Sequence, residues 1–91
     1  MSREKITARL RLVGIVADGA KAIEMQLEPD ATISDAITRL LEMGIEALKQ
    51  YYSEDTNDNY LVFIRQGVTL DIHTQIQDND EITVFPIIEG G

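Results

Sequence analysis

The chain of 91 residues contains no cysteine, which excludes disulfides, a thiolate nucleophile and thiolate metal ligands. It has a single histidine, His73, and with nearby Asp71 this falls short of the four ligands that a structural zinc site takes. Asp78, Asp80 and Glu81 lie close together but lack the twelve-residue ligand ladder of a calcium loop, so no metal is expected. Ser34 and Ser53 have no histidine near them in sequence to activate a hydroxyl. No apolar run approaches 18 residues, so no membrane-spanning helix is expected. Basic charge is scarce as well. Eight Lys and Arg against sixteen Asp and Glu leave a net charge of −8, which repels phosphate backbones and favours a basic protein surface over nucleic acid as a partner. Met1-Ser2-Arg3-Glu4-Lys5 lacks the apolar core of a signal peptide. With cysteine absent too, the expectation is a cytoplasmic protein.

What is present is the material of one small domain: 44% hydrophobic and 26% charged residues in a length that allows a single core. Ile6, Ala8, Leu10 and Leu12 alternate with Thr7, Arg9 and Arg11, which predicts a strand with one buried face. Asp18-Gly19 supplies turn chemistry, and a second strand returns over Lys21 to Glu28 with Ile23, Met25 and Leu27 inward. Thr32 and Asp35 stand in capping-box positions ahead of Ile33, Ile37, Leu40 and Leu41, which keep helical spacing to a stop at Gly44. Ile45 to Tyr52 suggests a second short helix. Ser53 to Asn59 reads as a polar loop with Tyr51, Tyr52 and Tyr60 packed under it. Further strands are expected over Tyr60 to Arg65, over Val68, Leu70 and Ile72 with His73 on the polar side, and over Glu81 to Pro86, separated by turns at Gln66-Gly67 and Gln77 to Asp80. The order β-β-α-(α)-β-β-β predicts an α+β layer, with a main helix on one face of a sheet of about five strands.

The sequence closes on Gly90-Gly91, a pair that average glycine usage places at a chain end in about one case in two hundred. It comes after the strand-like Glu81-Ile82-Thr83-Val84-Phe85-Pro86 rather than a polar tail. Glycine has no Cβ, so another protein's narrow channel can close around it. Ile87 to Gly91 would reach roughly 17 Å when fully extended.

These features together resemble the ubiquitin-like β-grasp sulfur carriers, the family of the molybdopterin synthase small subunit (MoaD) and the thiamine-pathway carrier (ThiS). The resemblance rests on Ile76-Gln77-Asp78-Asn79-Asp80-Glu81 running into an apolar strand and Pro86, on Gly90-Gly91 a few residues later, and on Thr32-Ile33-Ser34-Asp35 at the helix entry. The chain departs from the family at Asn79, which replaces a glycine, at Pro86-Ile87, which replaces a proline pair, and at Glu89, which replaces a small residue. The family implies a mixed sheet in a β-grasp domain over residues 1–86 and an extended tail over residues 87–91. It also implies that an ATP-using adenylyltransferase of the ubiquitin-activating type forms an acyl-adenylate on Gly91, which becomes a thiocarboxylate. Gly90 is then the slender neighbour, and the partner supplies the catalysis. On that reading the chain is not itself an enzyme and binds no cofactor. The partners implied are the activating enzyme and the large subunit of molybdopterin synthase or another sulfur acceptor, as in thiamine, cysteine or tRNA thiolation. The alternatives are a protein modifier joined through Gly91 to lysines of other proteins, and a β-grasp interaction domain whose tail is inert.

Alternation also predicts a docking face. If Leu61 and Phe63 face the helix, Val62 and Ile64 face away, as do Thr83 and Phe85, with Val13 and Ile15 extending the outer side. The expected patch is Val62, Ile64, Phe85 and Ile87, ringed by Glu81 and Glu89. The other possibility is that residues 45–59 fold over it.

Overall fold

Alternation at the start of the chain builds a strand pair in the computed structural model, which describes residues 4–15, 19–53 and 58–87, with backbone alone at 53 and 58. Strands β1 (Ile6–Val13) and β2 (Ala20–Leu27) pair antiparallel from Ile6↔Leu27 to Val13↔Ala20. Ala8, Leu10, Leu12, Ile23, Met25 and Leu27 are buried, as the pattern requires. Asp18 lies outside the described residues, but Gly14 N–H donates to the Gly19 carbonyl across the turn (2.8 Å). Gly14 has φ +72° and its missing Cβ would meet Pro86 only at ordinary contact distance, 3.6 Å, so backbone geometry rather than crowding selects glycine there. That left-handed residue breaks the strand period. Ile15, expected on the outer face, therefore turns inward and is 7% exposed.

Helix α1 (Ile33–Glu42) begins where the sequence marks it. Asp35 N–H donates to Thr32 Oγ1 (3.3 Å) and Thr32 N–H to Asp35 Oδ2 (2.9 Å), closing a reciprocal capping box. Ile33, Ala36, Ile37 and Leu40 form its buried stripe. Thr32→Ala removes the side-chain acceptor and is expected to cost about 1 kcal/mol. In a domain of this size that is a melting temperature lower by about 4–8 °C, measurable by thermal unfolding; an unchanged midpoint would mean that the cap does not hold the helix.

The second short helix is present as a 3-10 helix, Glu46–Gln50, with Leu48 fully buried. At the described ends of the polar segment expected as a loop, Ser53 and residues 58–59, the backbone is paired. Two short strands, β3 (Tyr52–Ser53) and β4 (Asp58–Asn59), pair as a separate hairpin. Of the aromatics placed beneath this segment, Tyr52 is buried, with its hydroxyl 3.2 Å from Ser34 Oγ, and Tyr51 packs against the core. Tyr60 does not join them; it is 47% exposed.

Strands β5 (Leu61–Arg65) and β6 (Val68–Leu70) form a two-residue hairpin in which Gln66 (φ 51°) and Gly67 (φ 79°) are both left-handed, as a type I′ turn demands. β6 ends at Leu70 because Asp71 starts a turn, its Oδ1 accepting the His73 N–H (2.7 Å). Ile72 and His73 thus lie in a turn, not on a strand; Ile72 packs against the core and His73 is exposed. Before β7 (Asp80–Pro86), Asn79 takes the left-handed conformation (φ 64°), which asparagine tolerates better than most residues. Asp78 Oδ1 accepts the Thr7 N–H (2.9 Å), while Asp80 Oδ2 accepts Gln77 N–H and Arg65 Nη1–H (2.7 Å each). These acidic residues therefore shape the turn.

The main sheet runs β2-β1-β7-β5-β6, with β1 parallel to β7 and every other pair antiparallel. Leu10, Leu12, Phe63, Ile82 and Val84 from the sheet meet Ile33, Ile37 and Leu40 from α1, with Leu48 and Ile76 completing the fully buried core. This is the expected α+β arrangement, one helix against one face of a five-stranded mixed sheet.

Candidate functional site

The central strands position the residues that alternation assigns to the outer face. In the β5–β7 register Val62 stands opposite Phe85 and Ile64 opposite Thr83, while Leu61, Phe63, Val84 and Pro86 on the inner side are buried. Val62, Ile64 and Phe85 are each partly buried and lie side by side, without α1 on their side of the sheet. Ile87 continues beyond β7 and is 46% exposed. Glu81 is exposed and stands in register with Arg9, whose guanidinium approaches Glu24 at 3.5 Å. Glu89, Gly90 and Gly91 lie outside the described residues.

The structure adds two neighbours to this face. Tyr60 precedes Leu61, so the same alternation that places Val62 and Ile64 outward also places Tyr60 there. Its carbonyl accepts the Ile87 N–H at 2.7 Å, extending the ladder by one step past Leu61↔Pro86. Arg11 stands opposite Thr83 on β1, which sets a cation beside the apolar residues. For Tyr60 the signal is the alternation itself; for Arg11 it is the β1–β7 register, which the sequence alone does not state.

A shallow depression of about 300 Å³ on the outer side of β1 and β2 has Arg11 and Glu81 in its lining but none of Val62, Ile64, Phe85 and Ile87. A cleft of about 350 Å³ lies between the end of β2 and α1, lined by residues including Lys5, Leu27, Glu28, Asp35 and Arg39. That second cleft, unlike the depression beside Arg11, contains no residue of the outer face. Among the described residues no group of three or more His, Cys, Asp or Glu side chains is placed to hold a metal ion, and no helix is long and apolar enough to cross a membrane.

No protein-family model matches the sequence, and no curated protein matches it. Solved structures do. The Haloferax volcanii protein HVO 2177 is 26% identical and superposes with a TM-score of 0.74, covering 100% of this chain and 92% of its own. Small archaeal modifier protein 1 of H. volcanii is 21% identical with a TM-score of 0.75, covering 91% of this chain and 99% of its own. A Pyrococcus furiosus protein described as a putative subunit 1 of molybdopterin converting factor is 19% identical with a TM-score of 0.67, covering 91% and 99%. The chain therefore has the ubiquitin-like β-grasp fold that the small archaeal modifier and the MoaD-like protein share.

Proposed function

We propose that this protein is a ubiquitin-like sulfur carrier whose reacting group is the carboxyl of Gly91. The observation that carries the reading is the Gly90-Gly91 pair, separated by three residues from the β7 strand of a β-grasp sheet. A terminal carboxyl has a pKa of about 3.5 and is an anion at neutral pH, so it resists nucleophiles until it is activated. In the proposed reaction a carboxylate oxygen of Gly91 attacks the α-phosphorus of ATP on an adenylyltransferase and expels pyrophosphate. Hydrosulfide then displaces AMP, leaving a thiocarboxylate that donates sulfur, with molybdopterin formation as the pathway favoured by the family resemblance. The chain supplies the body, the docking face and the acyl group; the catalytic groups belong to the partner. ATP–pyrophosphate exchange with a ubiquitin-activating-type adenylyltransferase from the same organism tests this. Exchange that depends on the added protein supports the reading, and none with a competent enzyme contradicts it.

The second reading is a protein modifier, in which a lysine amine displaces AMP and an isopeptide bond forms. The similarity to small archaeal modifier protein 1, with a TM-score of 0.75, is what supports it. Covalent ladders that vanish when Gly91 is removed would select it over the carrier.

Val62, Ile64, Phe85 and Ile87 serve, on this reading, as the docking surface for the activating enzyme, with Glu81 and Glu89 at its rim. Ile64→Asp and Phe85→Asp place a charge on that face and not in the core. Each is expected to weaken the complex by about tenfold or more, the scale of a docking hot spot, while the cooperative melt persists. Unchanged affinity in both variants would remove the face from the account.

A further inference from the structure

Residues 45–51 and Tyr60 have no part in the proposed chemistry, yet their backbone hydrogen bonds connect the helix to the residue after β7. The Leu40 carbonyl accepts the Ile45 N–H (3.2 Å), the Ile45 carbonyl the Leu48 N–H (3.2 Å), and the Leu48 carbonyl the Tyr51 N–H (3.0 Å). The Tyr51 carbonyl then accepts the Tyr60 N–H and the Tyr60 carbonyl accepts the Ile87 N–H, both at 2.7 Å. Five backbone bonds thus run from α1 to the residue after β7. Leu48, fully buried, fixes the middle of this path, and Tyr51 packs against the core. Ile87, by contrast, is 46% exposed and Tyr60 is 47% exposed, so burial of their side chains does little to hold the junction. The backbone bond between them is what orients it.

We propose that residues 45–51, acting through Tyr60, are a strut that sets the direction in which the chain leaves β7, making Leu48, Tyr51 and Tyr60 positioning residues for reaction at Gly91. The part of this inference that concerns reaction rests on the carrier reading; the mechanical part does not. Three residues separate Ile87 from Gly91, so the junction sets the direction in which the tail sets out. Misplacement of a reacting group by about 1 Å can cost up to about a hundredfold in rate.

Two substitutions at one position separate the bond from the side chain. Ile87→Pro removes the N–H, since proline has none, and Ile87→Ala keeps it while removing the apolar contact. In the ¹⁵N-labelled full chain, the Ile87 amide of the wild type is expected to be protected from exchange, with an order parameter near the rigid-backbone value of about 0.85. Ile87→Pro is expected to lower the order parameter at Ile88 and leave Val84 unchanged, and Ile87→Ala to alter neither. Leu48→Ala, if it folds, should reproduce the loss at Ile88 from within the core. In the pyrophosphate-exchange assay Ile87→Pro should lower kcat by about tenfold, a fraction of the penalty for misplacement. Ile87→Ala should act, if at all, through KM as a docking residue. An Ile87 amide that exchanges like an open peptide, or equal order at Ile88 in the proline and alanine variants, overturns the strut. Absence of exchange activity in the wild type overturns the carrier reading instead and leaves the NMR comparison to decide the strut.

Discussion

Deleting Gly91 is expected to abolish activation and leave the fold untouched. The described core ends at β7, and none of its buried residues lies beyond Pro86, so the melting temperature should not move. The reaction, by contrast, should fall below detection, because the acyl group would then sit one residue short on the tail. Deletion shortens the reach by roughly 3.5 Å, while near-attack geometry requires reacting atoms to meet within about 3–3.5 Å. Adding an alanine after Gly91 should be equally damaging, since it replaces the free carboxyl with a neutral amide at that position. Gly91→Ala tests the slenderness argument separately. It retains a carboxyl in the right place but adds a Cβ where a channel is proposed to close. A reduced but measurable rate is expected, lying between the wild type and the deletion. Pyrophosphate exchange and circular dichroism on the same samples read both halves of the prediction. Full activity without Gly91 would remove this glycine from the mechanism.

The second large effect concerns stability. Phe63 lies in a central strand, 1% exposed, opposite Val84 on one side and Leu70 on the other. Phe63→Ala loses the transfer free energy of the ring and leaves a cavity among neighbours held by two strands and a helix, a loss of about 3–5 kcal/mol. Small domains have about 5–15 kcal/mol in total, so the variant should unfold at a much lower urea concentration, or be partly unfolded without it. Val62 is the adjacent residue but points to the outer face, where Val62→Ala should cost roughly 1 kcal/mol or less. The contrast tests the register as well as the magnitude. Similar losses in both variants would mean that the inner and outer faces are misassigned.

The parts of the fold that are legible in the sequence are those where local chemistry and burial agree. Alternation at Ile6 to Leu12 and at Ile23 to Leu27 reports a half-buried sheet directly, and Thr32 with Asp35 marks the helix entry through hydrogen bonds that only those side chains make. What escapes such reading depends on pairing at a distance. The β3–β4 hairpin consists of two pairs, Tyr52↔Asn59 and Ser53↔Asp58, too short to show a period and made largely of polar residues. Ile15 points outward only if a strand period is carried through Gly14, whose left-handed φ turns the next residue toward the core instead. Ile72 continues the alternation of Val68 and Leu70, but Asp71 ends that strand by capping a turn. The candidate site shows the same division. Val62, Ile64, Phe85 and Tyr60 follow from alternation, whereas Arg11 joins them only through the β1–β7 register. Gly90 and Gly91 rest on sequence and resemblance alone, beyond the described residues.

The central claim is that Gly91 carries an acyl group that accepts sulfur, and intact-protein mass spectrometry tests it most directly. The protein would be incubated with its adenylyltransferase, ATP and a sulfur source, then weighed and fragmented. The predicted result is a gain equal to the difference between sulfur and oxygen, localised to the last residue and lost when Gly91 is deleted. A mass unchanged under conditions where the same enzyme activates another substrate would contradict it.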